Sequence, residues 1–311
     1  MAPQSIDTIN DLTHAISGIS HIEDSLFPNR LAIQKFKLEK EPIDVAFHEA
    51  ETKVGVWETE QYNLENWTWQ WLLYKLTCGL EEEKKRTKIG LQKAKTLLSE
   101  TKGQVDTMND KLRDLEQSNE KNEVDYRTLT KYREDLTKEL DEILKEEWIG
   151  SEKELKTELD NIESSIKKII DDDKKLDKVR ELIKLTDMSI LEAILELRQT
   201  NKENSLKKGQ IYFPEIAYQS LKKARDLYPE LPAIPAPEEY RNDADDTGAY
   251  YSPMQKYLWD VRKRLKYLLE WCDERVIMLM EEKAQKNIIF GKKWDEWNME
   301  RRRLVLDMNS T

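Results

Sequence analysis

Apolar residues in the middle of the chain recur at alternating intervals of three and four, the spacing that lays one narrow stripe along an α-helix. From Leu91 to Ile143 the a positions are Leu91, Leu98, Val105, Leu112, Asn119, Tyr126, Arg133 and Leu140. The d positions are Ala94, Thr101, Met108, Leu115, Asn122, Leu129, Leu136 and Ile143. Beyond Gly150-Ser151 the stripe resumes in a new register, with Leu155, Ile162, Ile169, Leu176, Ile183, Ile190 and Leu197 at d. Glycine suits the left-handed residue that closes a helix, and Ser151 with Glu154 forms a Ser-x-x-Glu capping box for the next one. The pattern therefore predicts a tight hairpin in which helix 91–149 packs antiparallel on helix 152–204. That pairing sets Asn119 and Asn122 level with Arg180, and Tyr126 level with Asp173, so the polar interruptions of both seams coincide. A stutter within one continuous helix is the alternative. Ile149, Ile170, Val179 and Leu195 fall outside the two-helix seam and predict further helical contact, in a homodimer or a hetero-complex.

On either side of the heptads the pattern thickens. Residues 1–28 are weakly amphipathic and read as a loosely attached arm. A short helix from Arg30 (Leu31, Ile33, Phe36, Leu38) is expected to stop at Glu41-Pro42, because proline disfavours helix in the residue before it and lacks a donor. A very long helix begins near Ile43 and crosses an aromatic block: Trp57, Trp67, Trp69, Trp71, Leu72, Leu73, Tyr74 and Leu76. After the second arm, Pro214 opens a short helix with Ile216, Ala217, Leu221, Ala224 and Leu227. A Pro-rich linker, 229–252, precedes a last helix from Ser252-Pro253 to about Asp307. Eight of the nine tryptophans flank the hairpin. The expected fold is thus all-α and elongated: a coiled-coil hairpin stalk, 91–205, carrying an aromatic-rich helical bundle head from 29–90 and 206–311. Trp67, Trp71, Trp271 and Trp294 are expected to lie mostly inside that head.

Composition agrees with long helices. Of 311 residues 36% are charged, only nine are glycine and nine proline, and mean hydropathy is −0.80. Nine Trp, twelve Tyr and sustained periodicity argue against disorder. A net charge of −11 disfavours nucleic acid and anionic membrane as partners. The N-terminus lacks a signal or transit pattern, and no stretch approaches the roughly 20 apolar residues needed to span a bilayer, which predicts an intracellular, cytoplasmic or cytoskeletal protein. Two cysteines far apart, Cys78 and Cys272, fit structural thiols in a reducing compartment. The sequon at Asn66-Trp67-Thr68 reads as chance, as does Asn309.

Machinery for catalysis is missing from the sequence pattern. There is no phosphate-binding loop, His48-Glu49 fails the HExxH pattern, and His14, His21 and His48 are scattered. Glu81-Glu82-Glu83 and Asp171-Asp172-Asp173 sit beside lysines, as solvated helix faces do. No enzyme, cofactor or metal is expected. The basic runs around Arg262, Arg264, Arg301 and Arg302 are the candidate partner-binding face, suited to acidic protein surfaces. These features predict a structural or scaffolding subunit of a larger assembly, of cytoskeletal or ciliary type, with protein partners on helical surfaces. A membrane-remodelling helical dimer of the crescent type is the runner-up, disfavoured by the acidic balance.

Overall fold

The computed structural model describes residues 3–77, 79–144, 151–200, 214–233 and 253–310. Among them every secondary-structure element is helical: α1 (Pro3–Ile19), a 3-10 turn (Ser20–Ile22), α2 (Glu23–Glu65), α3 (Trp69–Leu76), α4 (Leu80–Leu144), α5 (Ser151–Thr200), α6 (Glu215–Leu227) and α7 (Pro253–Ser310). The all-α class and the long helices are as expected. Gly150 with its hairpin turn, Trp148, Ile149, Cys78, Gly209 and linker residues 234–252 lie outside the described residues.

The chain forms two compact units, Met1–Glu146 with Arg302–Thr311, and Glu147–Arg301. This division replaces the expected head and stalk boundaries at 90/91 and 205/206. The eight flanking tryptophans divide with it, so no single unit gathers them into one head. In the first unit the seam of α4 is where the heptad puts it, since every a and d position from Leu91 to Ile143 is buried or half-buried. Its partners differ from expectation: α2 runs antiparallel along it, and α1 covers its last third. Arg30 meets Glu123, Lys37 meets Glu116, and Glu58 meets Lys95, each at 3.0 Å or less, so the pairing steps down one helix as it steps up the other. Asn119, expected to face Arg180, donates instead to Glu123 one turn along its own helix at 3.2 Å.

Helix α2 was hidden by its prolines. Pro28 and Pro42 lie inside it and both are exposed, where water takes up the carbonyls they leave unpaired. On the opposite side runs a second 4-3 repeat: Leu26, Asn29, Ile33, Phe36, Lys40, Ile43, Phe47, Ala50, Val54, Trp57, Gln61 and Leu64, all buried or half-buried. The N-terminal arm is also corrected. Ile9 and Ile16 of α1 are buried in one core with Leu129, Leu136 and Leu140 of α4 and Val305 of α7, flanked by Leu12 and Ile19. The 3-4-3 spacing of Ile9, Leu12, Ile16 and Ile19 is that of a helix with one apolar face.

In the second unit the d positions of α5 from Ile169 to Leu197 are buried, together with Leu159, Val179, Ala193 and Ile194. Along it α7 runs antiparallel, fixed by ion pairs Arg262–Asp187, Arg180–Asp273, Lys293–Glu158 and Arg301–Glu152. Against it α7 buries Met254, Leu258, Val261, Leu265, Leu268, Cys272, Val276 and Leu279. Helix α6 packs on α5 through Ala217, Ser220 and Ala224. So the apolar face of α5 is wider than a two-helix seam, and Val179 is satisfied inside the unit while Leu195 stays exposed. Tyr228 and Leu231, at the start of the expected linker, are buried, and Arg275 donates to the Tyr228 hydroxyl at 3.2 Å.

Candidate functional site

The four arginines proposed as a partner-binding face are all engaged within the fold. Arg262 makes two 2.7 Å hydrogen bonds to Asp187 and stacks on Trp259. Arg264 pairs with Asp260 one turn earlier at 2.7 Å. Arg301 is 2% exposed, paired at 2.9 Å with Glu152, itself 3% exposed, and lies 4.4 Å from the centre of the Trp297 ring. Arg302 donates to Asn10 at 2.7 Å. Arg262, Arg264 and Arg301 belong to the second unit and Arg302 to the first. Sequence spacing placed two of them side by side; burial of one and half-burial of the next separates their environments.

Ionisable groups elsewhere follow the same pattern. Glu23 and Arg133 form a buried bidentate pair at 2.7 and 2.9 Å, side chains 5% and 2% exposed. Hydrogen bonding by Arg30 holds the Glu123 carboxyl below the usual carboxylate range, against the opposing pull of partial burial. Burial, then the neighbouring Asp177, pushes Asp173 up. Burial and then Asp273 push the Cys272 thiol up to about 11, so at neutral pH it stays a protonated, unreactive thiol. His48 sits 3.1 Å from Glu51 on an exposed face. Glu83 pairs with Arg86 and Asp172 with Lys175 within their helices. Among the described residues no group of three His, Cys, Asp or Glu could hold a metal ion. A shallow groove of about 590 Å³ beside Gln61, Lys88, Gln92, Lys95, Ser99 and Glu100 presents amides, hydroxyls, ammonium groups and one carboxylate.

What the fold leaves outside is α3. Asn66 ends α2 in an extended conformation, its amide and side chain both returning to the Tyr62 carbonyl at 3.1 and 2.7 Å. Thr68 donates to the Asn63 carbonyl and accepts from the Trp71 amide at 3.2 Å, which caps α3. The Asn-Trp-Thr triplet is thus a helix break. Thr77 and Gly79 close α3 by donating to Leu73 and Tyr74 at 3.1 and 3.0 Å, and α4 begins at once. The eight residues of α3 therefore occupy the chain reversal at the end of the α2/α4 pair.

Helix α3 buries none of its side chains. Trp69, Leu72, Leu73 and Leu76, the i, i+3, i+4, i+7 stripe of a helix, face solvent, with Trp69 73% and Leu76 74% exposed. Trp67, just before the helix, is 87% exposed and stacks on Trp71 at 4.6 Å. The Lys75 ammonium lies 4.3 Å from the Trp71 ring centre and 5.8 Å from that of Trp67. These findings correct the expected burial of the aromatic block: Trp67 is exposed, Trp71, Trp271 and Trp294 are half-buried, and Trp297 is the buried tryptophan among the described residues. Exposed aromatics at helical spacing were present in the sequence; nothing there marked which face had no neighbour.

Fold and site define an all-α protein of paired long helices with an exposed aromatic knuckle. Against known proteins, the chain matches no protein-family model, no curated protein and no solved structure.

Proposed function

We propose that the chain is a non-catalytic helical scaffold that attaches to a larger assembly through the α3 knuckle. One observation carries this reading: α3 turns an uncharged stripe of Trp69, Leu72, Leu73 and Leu76 outward, with Trp67 beside it, although the same unit buries smaller apolar groups such as Ala50 and Ala94 completely or nearly so. Contiguous exposed apolar surface of this kind marks an interaction site. Supporting it, α4 rises about 1.5 Å per residue over 65 residues, roughly 100 Å, which suits a spacer. The arginine face proposed from sequence is set aside as the main contact, because its members serve the fold.

The test is sedimentation of gently lysed native cells. Wild-type chain is expected to travel in an assembly larger than itself. A variant with Trp67→Ser, Trp69→Ser and Leu76→Ser should travel as the free chain with unchanged helical circular dichroism. Equal migration of the two would refute attachment through α3.

A further inference from the structure

Positive charge is concentrated in one window of α4. From Lys84 to Ser99 the chain carries six cations, Lys84, Lys85, Arg86, Lys88, Lys93 and Lys95, and no acid; no other acid-free stretch of the chain is as long. Arg86 pairs with Glu83 and Lys95 with Glu58, each at 3.0 Å. Lys84, Lys85, Lys88 and Lys93 have no carboxylate partner among the described residues, unlike Arg262 and Arg301. The ion-pair register sets Glu58, Glu60 and Glu65 of α2 level with this window, where Glu58 is already taken and Glu65 accepts from the Gln61 amide at 2.7 Å. Six cations against three carboxylates leave the window positive in a chain of net −11. We propose that this window docks an acidic amphipathic helix of a partner protein.

Spacing supplies the other half of the match. Lys84, Lys88 and Lys95 follow one edge of the exposed face of α4, and Ile89, Lys93 and Leu97 follow the other at steps of four. Ile89 is 47% and Leu97 38% exposed, about two turns apart. An incoming helix sets two apolar side chains on them while its carboxylates meet the lysines. The groove of about 590 Å³ beside Lys88 and Lys95 runs along this face. Because α1 covers the last third of α4, the place of a third helix beside α2 and α4 is open here. The window is also bounded: Glu81, Glu82 and Glu83 precede it, Glu100 follows it, and between them α4 rises only about 23 Å. A bilayer or a nucleic-acid duplex is anionic far beyond that length and would press its phosphates against those carboxylates. A short acidic helix ends inside them. The acidic partner expected from sequence at Arg262, Arg264, Arg301 and Arg302 is thereby moved to α4, on a surface separate from α3.

Fluorescence anisotropy tests it with a labelled helical peptide of glutamate and alanine, about 16 residues long to match the window, with two leucines eight positions apart. The full chain should bind this peptide, and less tightly as salt rises, since the contact is charged. Lys84→Glu, Lys85→Glu, Lys88→Glu and Lys93→Glu together should weaken binding at least about tenfold with unchanged helical circular dichroism, because like charges then face each other. Should that variant lose helicity, Ile89→Ser with Leu97→Ser, both at exposed positions, carries the same expectation. The Trp67→Ser, Trp69→Ser, Leu76→Ser variant should bind as the wild type does, so this surface can fail without α3 failing as the attachment point. No binding by the full chain, equal binding by the folded window variant, or loss of binding by the α3 variant overturns the proposal. So does binding of phosphatidylserine vesicles or duplex DNA that the lysine substitutions abolish, which would give the window to a phosphate surface.

Discussion

Arg133 and Arg301 are each about as hidden from water as the leucines around them, and each is paired with a buried carboxylate. Taking both charges of such a pair out of water costs several kcal/mol, which the pairing offsets only while both partners are present. Removing one partner therefore costs much more than removing both. For Arg301→Ala we expect a loss of about 3–5 kcal/mol. Joint replacement of Glu152 and Arg301 by leucine should come close to neutral. Arg303, two residues on, has a side chain 68% exposed and a 4.0 Å contact with Asp307, and Arg303→Ala should cost less than about 1 kcal/mol. Denaturant unfolding of the three variants measures this; equal losses at 301 and 303 would mean that Arg301 is a solvated residue after all. The arginine run reads as one basic face in sequence because charge is visible there and burial is not.

Along the helices, the heptads were legible and their partners were not. The a and d positions of α4 and the d positions of α5 face inward as their spacing required, since a 3-4 repeat fixes which side of a helix is apolar whatever covers it. Which helix covers it depends on the other stripes available. The sequence pattern divides the stripe on α2 between a short helix from Arg30 and a very long one from Ile43, with Pro28 and Pro42 as breaks; a proline on the solvent side bends a helix without ending it. The true break, Asn66 to Thr68, is made by caps too small to stand out amid tryptophans. Glycines give a test of the α2/α4 contact. Gly55 and Gly103 have nothing within 4 Å of where a Cβ would stand, so alanine there should raise stability by up to about 1 kcal/mol through helix propensity. At Gly90 a Cβ would come within 2.7 Å of the Trp57 ring, and moving that ring should cancel the gain. Thermal melts of Gly55→Ala, Gly90→Ala and Gly103→Ala decide it; an equal rise at all three would place Trp57 elsewhere.

Each compact unit closes a core of its own, with one long antiparallel pair at its centre and a buried Arg–Glu pair within it. The acidic total of −11 is spread along the chain, and a run of exposed apolar residues, Trp67, Trp69, Leu72, Leu73 and Leu76, lies at the reversal between α2 and α4. Everything proposed for α3 depends on that reversal, which exists only if α2 is the partner of α4. The most direct measurement is an electron-spin distance between labels at residues 46 and 107, exposed positions on α2 and α4 that the ion-pair register sets opposite each other. Cys78 would be replaced by serine, while buried Cys272, its thiol raised to about 11, stays unlabelled. The α2/α4 pair predicts a short distance, the helix spacing of about 10 Å plus the label arms. A separation of several tens of ångströms, roughly that of α2 and α4 lying end to end, would contradict the pairing and remove the platform on which α3 is displayed.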